Sequence, residues 1–261
     1  MKLFFVGALL AIAGCNNADK TENANMSGAY KMLSQSYKTA KLDTTTTSLQ
    51  QLKIYTADYM MYANFNPGDS NGGFGIGTYA ADKDTVTENV FYTGSDSTKN
   101  DSLRSFKLTI EKITKGYKQV IPDVTFGTDH FKLTEEYETV STATTSPLDG
   151  AWKLVKAYTI KGADSLPDKI TQFKVYGAGH FIFGHTYSDS LNRPHTGMGY
   201  GTFAMTGTNK SKETVTVSTY ASVRGQVVDV DIELKGADEY KQVIVMKDGT
   251  KLAEEYQRLK K

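Results

Sequence analysis

Tyr117-Lys118-Gln119-Val120-Ile121 recurs letter for letter as Tyr240-Lys241-Gln242-Val243-Ile244. Working outward from that match, Lys132-Leu133-Thr134-Glu135-Glu136-Tyr137 returns as Lys251-Leu252-Ala253-Glu254-Glu255-Tyr256. Upstream, Gly28-Ala29-Tyr30-Lys31-Met32-Leu33 is echoed by Gly150-Ala151-Trp152-Lys153-Leu154-Val155, and Gln51 to Tyr55 by Gln172 to Tyr176. Gly75-Ile76-Gly77-Thr78-Tyr79 is echoed by Gly199-Tyr200-Gly201-Thr202-Phe203. The order is preserved at a spacing of roughly 120 residues, far above the period of solenoid repeats, so each copy is a complete domain. The expected units are 28–140 and 149–261, with 141–148 as a Thr/Ser-rich linker containing Pro147.

Each copy reads as all β. In the second, the predicted strands are Trp152 to Ile160, Ile170 to Tyr176, His180 to Thr186, Met198 to Thr206, Thr214 to Ala221, Val227 to Leu234, Tyr240 to Met246 and Lys251 to Leu259. All are rich in β-branched and aromatic residues. Gly177-Ala178-Gly179, Lys235 to Asp238 and Lys247-Asp248-Gly249 supply short hairpin turns. Val228, Val230, Ile232 and Leu234 alternate with Asp229, Asp231, Glu233 and Lys235, which buries one face and wets the other. The first copy repeats the eight more loosely, with polar loops at Asp43 to Ser48 and Gly94 to Ser102. Eight short antiparallel strands with local connections close best into a barrel, because closure removes exposed edges. The expected fold is two tandem eight-stranded antiparallel up-and-down barrels.

Composition agrees and excludes several function classes. Sixteen Tyr and 12 Phe against 5 Pro lean toward strands. Lys+Arg 30 against Asp+Glu 29 leaves no basic excess to hold nucleic acid. A single Cys rules out an intramolecular disulfide and a Cys-rich zinc site.

That cysteine has a different use. Leu3 to Ala13 is an apolar run after Lys2, of signal-peptide length and short of the roughly 20 residues that span a membrane. Its end, Ile12-Ala13-Gly14-Cys15, resembles the lipobox of bacterial lipoproteins. The resemblance implies that 1–15 is a signal peptide whose Cys15 is lipidated and becomes the mature N-terminus. An ordinary secretory signal with a bystander cysteine is the alternative. Asn16, where Asp often marks inner-membrane retention, implies the outer membrane, on its periplasmic or surface face. Residues 16–27, polar and aperiodic, read as a tether.

Gly150-Ala151-Trp152 resembles the Gly-x-Trp opening of lipocalins, and the closing Glu-Glu-Tyr looks like the small lipocalin-like (calycin) domains of bacterial envelope lipoproteins. The first copy departs from the pattern, with Tyr30 in place of Trp. The resemblance implies barrels of lipocalin-like type that bind a small molecule.

Catalytic signatures are missing: there is no Gly-x-Ser-x-Gly elbow, no phosphate-binding loop and no His-Glu-x-x-His. The glycines of 73–77 and 197–201 enter strands, where they permit a bend or close packing. Neighbouring strand residues point to opposite faces, so Glu135-Glu136 and Glu254-Glu255 cannot work as catalytic pairs. One member of each pair is expected to be solvated and the other to meet an internal base such as Lys153. His180 and His185 fall on opposite faces of one strand, a poor chelating pair unless Gly184 bulges. A site built from His180, His185 and His195, or haem ligation of the kind some calycin-type barrels show, is the minor alternative. No cofactor and no metal is expected.

Aromatic residues carry the pocket reading. Tyr55 and Tyr59 in the first copy, with Tyr176 and His180 in the second, crowd equivalent strands, and Tyr59 and His180 are expected on one shared face. Tyr30, Trp152 and Glu88 complete the pocket candidates. An eight-stranded barrel is just wide enough to be filled by side chains or to hold one small ligand. Glu88 in Val86-Thr87-Glu88, set against Val215-Thr216-Val217, implies two cavities of different chemistry. Two functions follow. One is an outer-membrane-anchored, non-enzymatic lipoprotein that binds a small apolar or amphipathic ligand in one or both barrels. The other is a structural envelope protein with filled barrels, whose loops recognise a protein or glycan partner.

Overall fold

The computed structural model describes residues 26–95, 98–100, 104–126, 128–142 and 146–261. Cys15, the signal-peptide segment and the tether up to residue 25 lie outside the described residues. Met26 is already buried, and the Ser27 hydroxyl donates to Thr56 O at 3.3 Å, so the packed chain begins before Gly28.

The first copy contains β1 (Gly28–Lys38), β2 (Asp43–Thr46), β3 (Gln50–Tyr55), β4 (Tyr59–Asn66) and β5 (Asn71–Asp82). It continues with β6 (Thr85–Ser95), β7 (Thr98–Asn100), β8 (Arg104–Ile113), β9 (Gly116–Phe126) and β10 (Asp129–Ser141). The second contains β11 (Gly150–Lys161), β12 (Asp164–Pro167), β13 (Ile170–Gly177), β14 (His180–Ser188) and β15 (Pro194–Gly207). Then follow β16 (Lys210–Ser218), β17 (Val227–Leu234), β18 (Glu239–Val245) and β19 (Lys251–Arg258). A 3₁₀ turn, Ala221–Val223, separates β16 from β17.

Both copies are closed eight-stranded antiparallel barrels. In barrel 1 the ring runs β1-β3-β4-β5-β6-β8-β9-β10 and shuts where β10 pairs β1. In barrel 2 it runs β11-β13-β14-β15-β16-β17-β18-β19 and shuts where β19 pairs β11. Strands β2, β7 and β12 lie off the rings as hairpin extensions of β1, β6 and β11. The expected polar loop at Asp43 is therefore mostly strand. So is part of the Gly94 to Ser102 segment, of which 96, 97 and 101–102 lie outside the described residues.

Ala178 (φ 54°) and Gly179 (φ 71°) form the tight turn between β13 and β14 in left-handed conformations that suit a twisted hairpin. Matching bulges lie at Ile76/Gly77 and Tyr200/Gly201. A Cβ on Gly77 would sit 2.2 Å from Asn89 O, and one on Gly201 1.8 Å from Thr214 O, so only glycine fits these bends.

The barrels pack against each other through equivalent strands: β3 on β13, β4 on β14 and β5 on β15. One hydrophobic core spans this junction, drawing Leu52, Ile54, Met61 and Phe74 from barrel 1 and Phe173, Val175, Ile182 and Met198 from barrel 2. The Phe74 ring lies flat against Gly184, where a Cβ would fall 2.4 Å from the ring. Gly184 thus serves close packing, and β14 pairs both neighbours in unbroken register there. A hydrogen bond between the Tyr92 and Thr186 hydroxyls, and the Arg224 guanidinium 4.5 Å above the Phe65 ring, tie the flanks.

Candidate functional site

The apolar junction forces an inversion on the strands beside it. On β3 the outward positions Leu52 and Ile54 enter the inter-barrel core, so the inward positions are Gln51, Lys53 and Tyr55. On β13 the inward set is Gln172, Lys174 and Tyr176. Each barrel therefore carries a lysine inside.

In barrel 1, Lys53 (2 % exposed) donates to Glu88 Oε1 at 3.0 Å and to Gln119 Oε1 at 3.2 Å. The Tyr55 hydroxyl donates to the same Glu88 oxygen. Glu135 accepts from Gln35 Nε2 at 2.7 Å, from the Tyr137 hydroxyl at 2.9 Å and from Gln119 Nε2. Gln51 Nε2 donates to the Tyr137 oxygen. Barrel 2 repeats the wiring. Lys174 (3 % exposed) reaches Glu213 Oε1 at 2.8 Å, Glu213 Oε2 at 3.1 Å and Gln242 Oε1 at 3.2 Å. Tyr176 donates to Glu213 at 2.7 Å. Glu254 takes Gln172, Gln242 and Tyr256 as donors. Buried charges and amides survive only when so saturated, because an unmet one costs about 1–3 kcal/mol or more.

The aromatic frame is duplicated too. Tyr117 stacks on Tyr137 at 5.0 Å, as Tyr240 does on Tyr256 at 4.7 Å. Tyr30 meets Tyr117 edge-on at 5.0 Å, and Trp152 meets Tyr240 likewise at 4.7 Å. The Tyr30 hydroxyl donates to Met26 O at 2.9 Å, and Trp152 Nε1 donates to Leu148 O at 2.7 Å. Tyr30 thus replaces the tryptophan and keeps its hydrogen bond to the carbonyl four residues back. In barrel 2 the Arg258 guanidinium also caps the indole at 3.9 Å and donates to Asp149 O at 2.6 Å. Burial and the nearby glutamates hold the inner tyrosines, Tyr55, Tyr117, Tyr137, Tyr176, Tyr240 and Tyr256, well above the usual phenol range.

Above these cores the copies differ. Barrel 1 holds a cavity of about 180 Å³ whose floor is Gln35, Lys53, Glu88, Gln119 and Glu135, with Phe106, Ile121, Val124 and Leu133 around it. Asn64 lines it too, at the position that His185 takes in barrel 2. His185 Nδ1 lies 3.0 Å from Gln172 Oε1 and its Nε2 2.7 Å from the Tyr220 hydroxyl, beside the 3₁₀ turn. Burial lowers its pKa to about 4, so at neutral pH the ring donates from Nδ1 and accepts at Nε2. Phe183, His185 and Tyr220 stack in series at 6.2 and 5.7 Å.

Of the residues singled out from sequence, Tyr55, Tyr176, Glu88, Tyr30 and Trp152 point into the barrels. Tyr59 and His180 share a face, but that face is outside: Tyr59 packs in the inter-barrel core, and His180 Nδ1 bonds Ala178 O at 2.9 Å. Strand parity explains it, since Met60 and Tyr62 take the inward positions on β4. Tyr55, Tyr59 and Tyr176 also line a second cleft of about 320 Å³ between the barrels, with Thr56, Ala57 and Arg258. His195 stacks on Tyr187 at 5.1 Å and meets Asp189 at 3.2 Å, apart from the other histidines. No group of three metal-ligating side chains assembles among the described residues.

Two sequence readings need correction. The internal bases are Lys53 and Lys174, whereas Lys153 is exposed, and Glu255 meets surface Lys156 at 3.8 Å. The counterpart of Glu88 is Glu213, because Tyr79 pairs Glu88 as Phe203 pairs Glu213. The two cores therefore have matching chemistry. Strand β16 starts at Lys210 rather than Thr214, and the bulge at Gly201 shifts the register, which displaced the match.

No protein-family model matches the chain, and no curated protein does. Among solved structures, a redesigned β-barrel is similar at 19% identity and TM-score 0.31, over 44% of this chain and 93% of that one. A protein of unknown function from the DUF3598 family of Nostoc punctiforme is similar at 11% identity and TM-score 0.27, over 90% of this chain and 96% of that one.

Proposed function

We propose that the protein is a non-enzymatic binding lipoprotein in which barrel 1 takes a small amphipathic ligand and barrel 2 serves as a filled scaffold. The observation that carries the reading is the 180 Å³ cavity above Lys53 and Glu88, at a level where barrel 2 is bridged by His185 and Tyr220. A pocket with a few convergent polar groups and apolar walls is the usual form of a small-molecule site. The lipobox-like Ile12-Ala13-Gly14-Cys15 supports anchoring through acyl chains on Cys15, at the outer membrane.

Native mass spectrometry of the chain from Asn16, after exposure to envelope extract, tests it. One adduct that disappears in Leu133→Trp, where the indole fills the barrel 1 mouth, is the expected result. Clean masses across several extracts would overturn it in favour of a second reading, a structural envelope protein. The saturated lysine–glutamate networks that occupy part of both barrels favour that reading, in which the surface recognises a protein or glycan partner.

A further inference from the structure

We propose that the ligand of barrel 1 is a small amine, its ammonium seated between Glu88 and Glu135 and its short apolar body lying against Phe106, Ile121, Val124 and Leu133. This rests on the reading of barrel 1 as the binding barrel and adds the ligand's charge and size.

The charge follows from a count. Among the described residues lining the cavity, two carboxylates, Glu88 and Glu135, stand against one ammonium, Lys53. Lys53 is committed to Glu88 Oε1 and Gln119, and Glu135 is held by three neutral donors, Gln35, Gln119 and Tyr137. The same surplus exists in barrel 2, but there it is met differently. Lys174 grips both oxygens of Glu213, and Glu254 is only half-buried, so water reaches it. Glu135 is 6 % exposed, and the described bonds of Glu88 all fall on Oε1. A surplus carboxylate hydrated only through a small cavity is costly without a counter-charge, and charge-assisted donors are the strong ones. The floor of barrel 1 thus asks for N–H donors carrying positive charge.

The field in the cavity has the same sign. The Tyr62 hydroxyl is pushed up to about 12 by burial and then by Glu88 and Glu135, with Arg104 acting in the opposite sense. Arg104 is exposed at the start of β8 and is not among the residues that line the cavity. Size follows from volume. About 180 Å³ is the space of roughly six waters, enough for an ammonium head with on the order of four or five carbons.

The test is a titration of the chain from Asn16 with butylamine, butanol and butyrate, read by NMR on the side-chain amides of Gln35 and Gln119. Butylamine should bind at least about tenfold more tightly than butanol, and butyrate should leave both amides unmoved. Glu135→Gln should erase the amine preference, whereas Glu254→Gln, its barrel 2 equivalent, should leave it intact. If Glu135→Gln does not fold, the three-probe ranking on the unsubstituted protein still decides. Butanol or butyrate binding as well as the amine, with shifts at the same amides, would overturn the amine assignment and leave barrel 1 a binding site. Silence from all three probes, together with no adduct from extract, would remove both readings.

Discussion

Lys53 and Lys174 occupy equivalent positions among equivalent partners, yet their surroundings differ one layer up. Above Lys174 the neutral His185 links Gln172 to Tyr220, whereas above Lys53 the Asn64 position leaves a cavity. Ala157 stands where barrel 1 has Gln35, and Val228 where it has Phe106. The shared layer is therefore structural, since it holds two barrels together alike. The divergent layer is where a role can differ. Repetition inside one chain separates the two kinds of residue without any second protein for comparison.

The sharpest way to break this comparison is to remove each lysine. Deleting one partner of a dry, saturated ion pair leaves a buried carboxylate without its counter-charge, at a cost of about 3–5 kcal/mol. Lys174→Met should lose that much in urea denaturation. Lys53→Met should lose about half, because the cavity admits water to the stranded Glu88. Equal losses would mean that the cavity does not hydrate the floor and the barrels are energetically alike.

A smaller effect is expected from His185. Its folded pKa of about 4 lies below the ordinary histidine value of about 6.5, so the unfolded chain binds more protons between those values. Stability from the neutral ring is complete above about pH 6.5 and falls as pH drops toward 4, by roughly 1–3 kcal/mol. His185→Asn, which copies barrel 1, should flatten this window in thermal melts taken at pH 7, 5.5 and 4.5. An unchanged slope would show that His185 is not the group that titrates.

The smallest effect belongs to the hairpin extension β2, whose residues are largely exposed. Lys38 and Asp43 pair at 2.9 Å with both side chains exposed. Asp43→Asn should shift stability by no more than about 0.5 kcal/mol, as exposed pairs do. A loss near 2 kcal/mol would mean that β2 supports barrel closure.

Much of the architecture was legible because strand repeats preserve their pattern. Tyr117 to Ile121 and Tyr240 to Ile244 keep the same residues since both feed the same stacked tyrosines and the same glutamine. The polar interior was harder to read. Alternation in Gln51-Leu52-Lys53-Ile54-Tyr55 marks two faces but not which is inside, and both prove buried, one in the barrel and one in the junction. Tyr59 and His180 do share a face, and for that reason it is the outer one. Glu213 escaped notice because Ser211-Lys212 bears no likeness to Val86-Thr87, and only the ladder across the Gly201 bulge aligns them. The cavity left no sequence signal beyond the exchange of His185 for Asn64, which has meaning only once β14 and β4 are superposed in register.

The like-on-like meeting of β3 with β13, β4 with β14 and β5 with β15 is the geometry of an isologous homodimer. In a true homodimer every substitution appears twice, so a residue that plugs one mouth plugs the other. Covalent fusion lifts that constraint. One polypeptide can keep the like-on-like junction while its two barrel mouths take different residues, as Asn64 and His185 do.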